Sequence, residues 1–454
     1  MPEIGPTHPI TYRAEIVGPI FALIHAGESA AVVASASMGK SRLVQFLLRH
    51  DVRRHYLGDA ADATLLAWAD CNRMAKISEW GLHELILTAL VEAIGTRPGM
   101  EAVRQQLNQL RREAIVESNA LLAQRHVELA VRMVCQEHGL RVCLLFDEFD
   151  ESFSTLPVQA LASLRALRDA NKYWLTYVLF LRHHPAHLRD PEECEGFYEL
   201  ISRSILGLKP YTDEDARRIL IQLQARRGHR LLNLSEEIVT ELLRLSGGHP
   251  GLLGALVDGL TNSQPLGVGW QEWAQRLDNV QEELRKLWAG LRVDERQALN
   301  RLALSASTGF RERESLLLKG LIRQKDRQDF TFFTPLLRDF AATQPPNGGD
   351  LRVDVQSGAI YVNGKLCETL TAREFDLFKF LYEHTGEICE IDQIVAHLYP
   401  DYKKDKKSGV FNNTITALVG RVRKKIEPYP GPPQYLLNVK GRGYKLMTTP
   451  DASD

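Results

Sequence analysis

SAAVVASASMGKSRLVQFLLRH, residues 29–50, decides how the rest of the chain is read. The apolar run 30–34 predicts a fully buried strand, Ser35-Ala36-Ser37-Met38-Gly39 a tight loop of small residues, and Lys40-Ser41 the start of a helix. In that helix Leu43, Phe46 and Leu47 share one side while Arg42 and Arg49 lie elsewhere, which is an amphipathic pattern. A loop of this kind leading into Gly-Lys-Ser can cradle phosphates. Its backbone N–H groups and the positive end of the helix dipole surround them. The candidate cradle is 35–42, with Arg42 as its last member. In it Lys40 places a point charge on the β- and γ-phosphates, and the Ser41 hydroxyl is set to ligate Mg²⁺. Ala34 stands where such loops carry their first glycine, so a methyl group occupies a position that usually turns sharply.

A second stretch, RVCLLFDEFDES at 141–152, supports the first. Residues 142–146 predict another central strand with Asp147-Glu148 at its carboxyl end, where ligands sit in open α/β sheets. One acid there can hold the Mg²⁺ shell and its neighbour can polarise an attacking water. Asp147 takes the first role and Glu148 the second; Asp150 and Glu151 exceed what two roles need and are expected to be solvated. Together the two stretches resemble the Walker A and Walker B elements of the AAA+ and STAND (signal-transduction ATPases with numerous domains) groups. ATP or ADP with Mg²⁺ is the cofactor set that the resemblance implies.

At 454 residues the chain has room for about three domains of roughly 100–200 residues each. Its net charge of −1 selects no partner class by itself. Cys71, Cys135, Cys143, Cys194, Cys367 and Cys389 are scattered, without a CxxC, and read as buried thiols of a reducing compartment. Residues 1–11 show no signal-peptide pattern and no apolar run is long enough for a bilayer, so a cytoplasmic location is expected.

Along the chain, 12–17 is a candidate cover for adenine, by the resemblance. Residues 64–69 predict a strand; 80–94 and 101–138 are long helical patterns; 158–167 is helical. Residues 174–181 predict a third central strand ending in Arg182-His183-His184, and 204–208 a fourth. In AAA+-like proteins a side chain at such a strand end senses the γ-phosphate. Arg182 is the candidate, the alternative being an arginine that caps a surface turn. Residues 212–259 are helical throughout. Within them Gly247-Gly248-His249-Pro250 reads as an efficient helix–helix turn and also resembles the lid motif of STAND and origin-recognition-type ATPases. That likeness makes His249 and Pro250 the lid's contact with ATP. Residues 294–340 resemble the small winged helix that comes after the lid in STAND proteins, where it packs on the nucleotide domain more often than it binds DNA. A linker by composition, TQPPNGG, occupies 343–349.

Residues 351–447 form a separate module. Two short strands precede a helix opened by a Thr371/Glu374 capping box, a shorter helix at 391–398, and a third from 410 to 427. Phe411, Ile415, Leu418, Val419, Val422 and Ile426 form the core side of that third helix. Asn412, Asn413, Thr416, Arg421, Arg423 and Lys424 occupy the other. A hairpin with a basic tip, Lys440-Gly441-Arg442-Gly443 and then Tyr444, closes the module. Between Lys403 and Lys445 there are eleven basic residues and two acids, an electrostatic footprint for a phosphate backbone. The module resembles the OmpR/PhoB type of winged helix-turn-helix through LTAREF, RVRKKIEP and VKGRGYKL. By that likeness the third helix enters the major groove of double-stranded DNA, with Arg421 on a base, Arg423 on phosphate, and Lys440, Arg442 and Tyr444 at the minor groove. Gly420, and Lys440 with Arg442, depart from the commoner family residues and leave the recognised sequence open.

The expected architecture is multidomain α/β + α: a P-loop NTPase parallel-sheet core (1–209), a helical lid (210–290), a small winged helix (291–342), a linker (343–350) and an OmpR/PhoB-type winged helix (351–449). The expected function is an ATP-switched transcriptional regulator that binds specific duplex DNA, with weak regulatory turnover and the ability to assemble as a homo-oligomer. Its rivals are a DNA-anchored defence or motor ATPase and a nucleotide-binding scaffold that does not hydrolyse ATP.

Overall fold

A computed structural model describes residues 8–226, 234–262, 265, 267–304, 310–325, 329–344, 351–354, 359–362, 365–367, 369–399, 408–427, 433, 435–439 and 442–448. The chain forms two compact units, Met1–Thr343 and Gln344–Asp454.

The first unit is built on a five-stranded, all-parallel sheet: β1 (Ala30–Val33), β2 (Thr64–Asp70), β3 (Arg141–Asp147), β4 (Leu175–Leu181) and β5 (Ile205–Gly207), in the order β2-β3-β4-β1-β5. Parallel strands need crossovers that cover both faces, so they read as unbroken apolar runs. Accordingly Val32 and Val178 enter one core with Leu43, Leu47, Ile16 and Phe21, while Ala31 and Leu179 enter the other with Leu82, Leu90 and Phe153. The chain leaves β1 toward the β2 edge and leaves β4 toward β5 on the other side. The crevice at the carboxyl ends of β1 and β4 is therefore a switch point, where α/β sheets hold ligands. The helical pattern at 101–138 is not one helix. Ser118 turns left-handed at φ 47°, Asn119 caps a new helix, Ala120–Arg132, and a wider turn, Met133–Glu137, leads to β3.

Beyond the sheet, helices Asp213–Arg226, Glu236–Ser246 and Pro250–Asn262 occupy the stretch expected as the lid. Thr212 and Ser235 accept backbone N–H bonds at the starts of the first two. Two further helices, Val293–Ala303 and Phe310–Leu318, a hairpin of Ile322–Gln324 with Phe330–Phe332, and a last helix, Pro335–Thr343, occupy the stretch expected as the small winged helix.

In the second unit, helices Ala372–Glu383, Ile391–Leu398 and Ser408–Ile426 enclose Leu377, Phe378, Ile394, Ile415, Leu418, Val419, Val422 and Ile426. A closing hairpin pairs Leu436–Val439 with Gly443–Leu446, which also pairs with Ile388–Cys389. Gly443 has φ 140°, and a Cβ there would lie 2.1 Å from the Cys389 carbonyl oxygen, so only glycine fits this crossing.

Candidate nucleotide site and candidate DNA interface

The candidate phosphate loop leaves β1 and turns at two left-handed residues, Ser37 (φ 55°) and Gly39 (φ 88°). Ala34 is buried, hydrogen-bonds Leu181 O through its N–H, and is not among the left-handed residues. The methyl group thus costs the loop nothing, because the turn is made three and five residues later. Helix Lys40–Leu47 starts directly after Gly39. Ser35 is buried with its hydroxyl unpartnered, Ala36 is half-buried, Ser37 and Arg42 are exposed, and Met38 is buried in the core.

The ends of β3 and β4 converge on this loop. Asp147, 1% exposed, closes β3; burial raises its carboxyl pKa, and the neighbouring Ser41 hydroxyl works against that rise. The Ser41 hydroxyl and the Asp147 carboxylate are thus neighbouring oxygen donors of the kind that could hold Mg²⁺ together with phosphates. Glu148 comes next in a left-handed conformation, φ 51°. Its Oε1 lies 3.3 Å from Lys40 Nζ, and its Oε2 accepts from Arg182 Nη2 at 2.6 Å and Nε at 3.1 Å. Burial by itself raises this carboxyl's pKa, but the Lys40 and Arg182 charges outweigh it and the net shift is downward. Arg182 therefore faces the site rather than capping a surface turn. Asp150 corrects the sequence expectation. It is half-buried, and its carboxylate accepts the backbone N–H groups of Arg182 (2.8 Å) and His183 (3.2 Å), which fixes the end of β4. Glu151 is exposed, as expected.

The lid stretch reaches the loop through His249, which is fully buried. Its Nδ1 accepts the Leu252 N–H at 3.2 Å, so its Nε2–H donates to the Ala36 carbonyl at 3.1 Å. This histidine thus holds the loop's backbone. Pro250 is half-buried at the first turn of its helix, and a Cβ on Gly251 would fall 2.9 Å from Ser37 Cβ. Burial holds the His249 pKa down to about 4. The unfolded chain, with an ordinary value of about 6.5, takes up a proton where the folded chain does not. Stability from this group is complete above about pH 6.5 and is lost as the pH falls toward 4. Burial likewise lowers His83 and His187 to about 4, in the same window. Melting midpoints are expected to drop between about pH 7 and about pH 5, and to drop less in His249→Gln. Equal drops in the two proteins would exclude His249 from the acid response.

Arg13 carries no signal in the local sequence, yet it is fully buried and left-handed (φ 51°), its Nη1 donating to Lys209 O at 2.7 Å and its Nη2 to Met38 O at 2.9 Å. Its backbone N–H donates to Asp215, and its guanidinium lies 4.2 Å from the Tyr211 ring centroid. Tyr12, its neighbour, meets the Tyr211 hydroxyl at 3.0 Å. The segment suggested as an adenine cover therefore ties the loop to the start of the lid stretch.

In the second unit, Arg421 and Lys424 are exposed on helix Ser408–Ile426, and Arg442 is exposed beside the hairpin. Arg421 Nε lies 3.5 Å from Glu374 Oε1, whose other oxygen takes Lys425 at 2.7 Å and the Thr371 N–H at 2.9 Å. Two expectations need correction. Arg423, expected on phosphate, is half-buried and donates through Nε and Nη2 to Leu436 O at 2.9 and 2.7 Å. It sits on the flank of the helix turned toward the hairpin, so the fold claims its guanidinium. Tyr444, expected among the hairpin's DNA contacts, is 5% exposed, with its hydroxyl 3.3 Å from the exposed Thr416. Asn412 and Asn413 lie in the helix with side chains outside the described residues, and Lys440 lies outside them altogether.

Residues 366–446 match the family described as "Transcriptional regulatory protein, C terminal". The sensory transduction protein RegX3 of Mycobacterium leprae (strain TN) is 37% identical over 99 residues, 22% of this chain and 46% of that protein. Protein PetR of Rhodobacter capsulatus is 32% identical over 98 residues, 22% of this chain and 41% of that protein. The chain spans less than half the length of these curated relatives. Among solved structures, a Walker-type ATPase of Pyrococcus abyssi is similar at a TM-score of 0.42 and 16% identity, over 74% of this chain and 99% of that one. The second unit is thus a winged helix of the OmpR/PhoB type, and the first a parallel-sheet α/β unit. Among the described residues, no helix is long and apolar enough to cross a membrane.

Proposed function

We propose that this chain is an ATP-dependent transcriptional regulator, in which the first unit binds Mg–ATP and the second binds specific double-stranded DNA. The observation that carries the first half is the meeting of Lys40, Ser41, Asp147, Glu148 and Arg182 at the carboxyl ends of β1, β3 and β4. The family match over 366–446 supports the second half. Ser41 and Asp147 would hold Mg²⁺, which would neutralise phosphate charge. Lys40 would bind the β- and γ-phosphates, Arg182 would sense the γ-phosphate, and Glu148 would orient water. His249 would keep the loop in its phosphate-binding shape through the Ala36 carbonyl. Glu148 starts out engaged by two cations, so it must release at least one before it can polarise water. That favours slow, regulatory turnover over a motor's.

A nucleotide switch further requires linkage between the two ligands. ATP should raise specific DNA affinity, and DNA should raise ATP affinity by the same factor, about 1–3 kcal/mol for a typical coupling. The check is DNA titration at fixed salt without nucleotide, with ADP, and with ATP in the Glu148→Gln protein. Three equal affinities would leave two independent modules on one chain.

A further inference from the structure

The residue after Arg182 points into a second polar cluster that the phosphate chemistry does not use. Lys319, at the end of helix Phe310–Leu318, and Glu295, in helix Val293–Ala303, are both 0% exposed. The three ammonium protons of Lys319 have three acceptors: Glu295 Oε1 at 2.6 Å, Glu295 Oε2 at 2.8 Å and, more distantly, His183 Nδ1 at 3.5 Å. Glu295 also accepts from Ser315 Oγ at 2.5 Å and from the Arg292 N–H at 2.9 Å. Burial by itself raises the Glu295 pKa, and Lys319 brings it down to about 2. His183 is held neutral by burial, then by Lys319, with its pKa down to about 3, and the ammonium donor 3.5 Å from Nδ1 assigns that nitrogen the lone pair.

The backbone around this cluster has no slack. A Cβ on Gly207, the last residue of β5, would lie 1.8 Å from Leu318 O. Gly320 is left-handed at φ 68°, and its Cβ would lie 2.7 Å from Pro210 Cδ. The turn Leu318-Lys319-Gly320 is therefore pressed onto the same sheet edge that carries the nucleotide site. On that edge the Asp150 carboxylate accepts the N–H groups of both Arg182 and His183, which ties the backbone of the two residues to one anchor. Stability alone is a poor reason for the ion pair, since apolar residues of similar volume often replace a buried pair without loss. Charge and direction are what it adds, and those let it respond to a neighbour.

We propose that His183, Lys319 and Glu295 are a relay that couples the state of Arg182 and Glu148 to the position of the small winged helix. The relay rests on the nucleotide reading of the first unit and names its regulation. A γ-phosphate that draws Arg182 from Glu148 moves the end of β4 and the Asp150 carboxylate bound to it as one unit, and His183 carries that shift to Lys319. The small winged helix then moves as the Lys319–Glu295 pair re-seats.

The test uses the full chain with Mg–ATP and Mg–ADP. Calorimetry reads nucleotide affinity, and hydrogen exchange reads peptides covering 310–324. In the wild-type protein, exchange there should differ between ATP and ADP by roughly fivefold or more. His183→Leu leaves the ion pair in place, and Glu295→Leu with Lys319→Met replaces it by apolar packing. Both proteins should melt cooperatively, bind ATP with affinity close to wild type, and lose the exchange difference. A wild-type protein that binds no ATP sinks the nucleotide reading and the relay with it. A wild-type protein that binds ATP but shows no difference at 310–324, or variants that keep it, overturns the relay alone.

Discussion

Lys40→Ala should abolish detectable ATP binding, whereas Glu148→Gln should tighten it and stop turnover. Lys40 is 7% exposed and its charge stands at the loop that would hold the phosphates. Its loss removes a direct phosphate contact and leaves the anionic Glu148 and Asp147 facing the triphosphate. An affinity loss of at least about 100-fold, close to 3 kcal/mol, is expected. Glu148→Gln acts in the opposite direction on binding. The amide keeps the shape but no longer neutralises Lys40 at 3.3 Å and Arg182 at 2.6 Å, so both cations become available to phosphate. A gain of about tenfold, ~1.4 kcal/mol, is a reasonable size for one competing carboxylate removed. Hydrolysis should fall by roughly 10²–10⁴-fold, the usual worth of a general base. Calorimetry and phosphate release separate the two effects. Normal turnover in Glu148→Gln would remove the role given to that residue, and unchanged affinity would show that its bridge to Lys40 does not compete with ATP.

The site is legible in the sequence where its parts are local. The loop lies between a strand pattern and a helix pattern, and the acids come directly after an apolar run, so spacing alone places Gly39, Lys40, Ser41, Asp147 and Glu148. The same rule places Arg182 at the end of β4. Arg13 is not legible, because its acceptors are Met38 and Lys209 and the second lies 196 positions away. Nothing in the local pattern separates a buried arginine from a solvated one. Asp150 reads wrongly for a related reason: its partners, the N–H groups of Arg182 and His183, belong to a different strand end. The Lys319–Glu295 pair is equally hidden, since each residue alone resembles an ordinary helix-surface charge. Tyr444 shows the limit of a family likeness, which places a residue in a hairpin without saying which face of the strand it lines. Arg423 is recoverable. In a helix whose core positions are 415, 418, 419, 422 and 426, residue 423 falls beside the apolar stripe while 421 and 424 fall away from it.

That difference in helix position yields the second large effect. Arg421→Ala should leave the second unit as stable as before, because the side chain is 61% exposed and its contact to Glu374 is a long 3.5 Å. Lys425 and the Thr371 N–H continue to satisfy that carboxylate. On DNA the same variant should cost about 1–3 kcal/mol at the preferred site and blur discrimination at one base pair. Arg423→Ala should do the reverse. It removes two hydrogen bonds to the Leu436 carbonyl and the clasp between the helix and the closing hairpin, a stability cost of about 1–3 kcal/mol. Weaker DNA binding in that variant should come from unfolding or a displaced hairpin and should affect all sequences alike. The isolated fragment 344–454 suits the measurement, because the unit has its own core. Thermal melting and titration with selected and scrambled duplexes, each at several salt concentrations, read the two properties separately. An Arg423→Ala fragment with unchanged melting but a shallower salt dependence would return that residue to the phosphate backbone. An Arg421→Ala fragment that keeps full preference for the selected duplex would place sequence reading elsewhere on the helix.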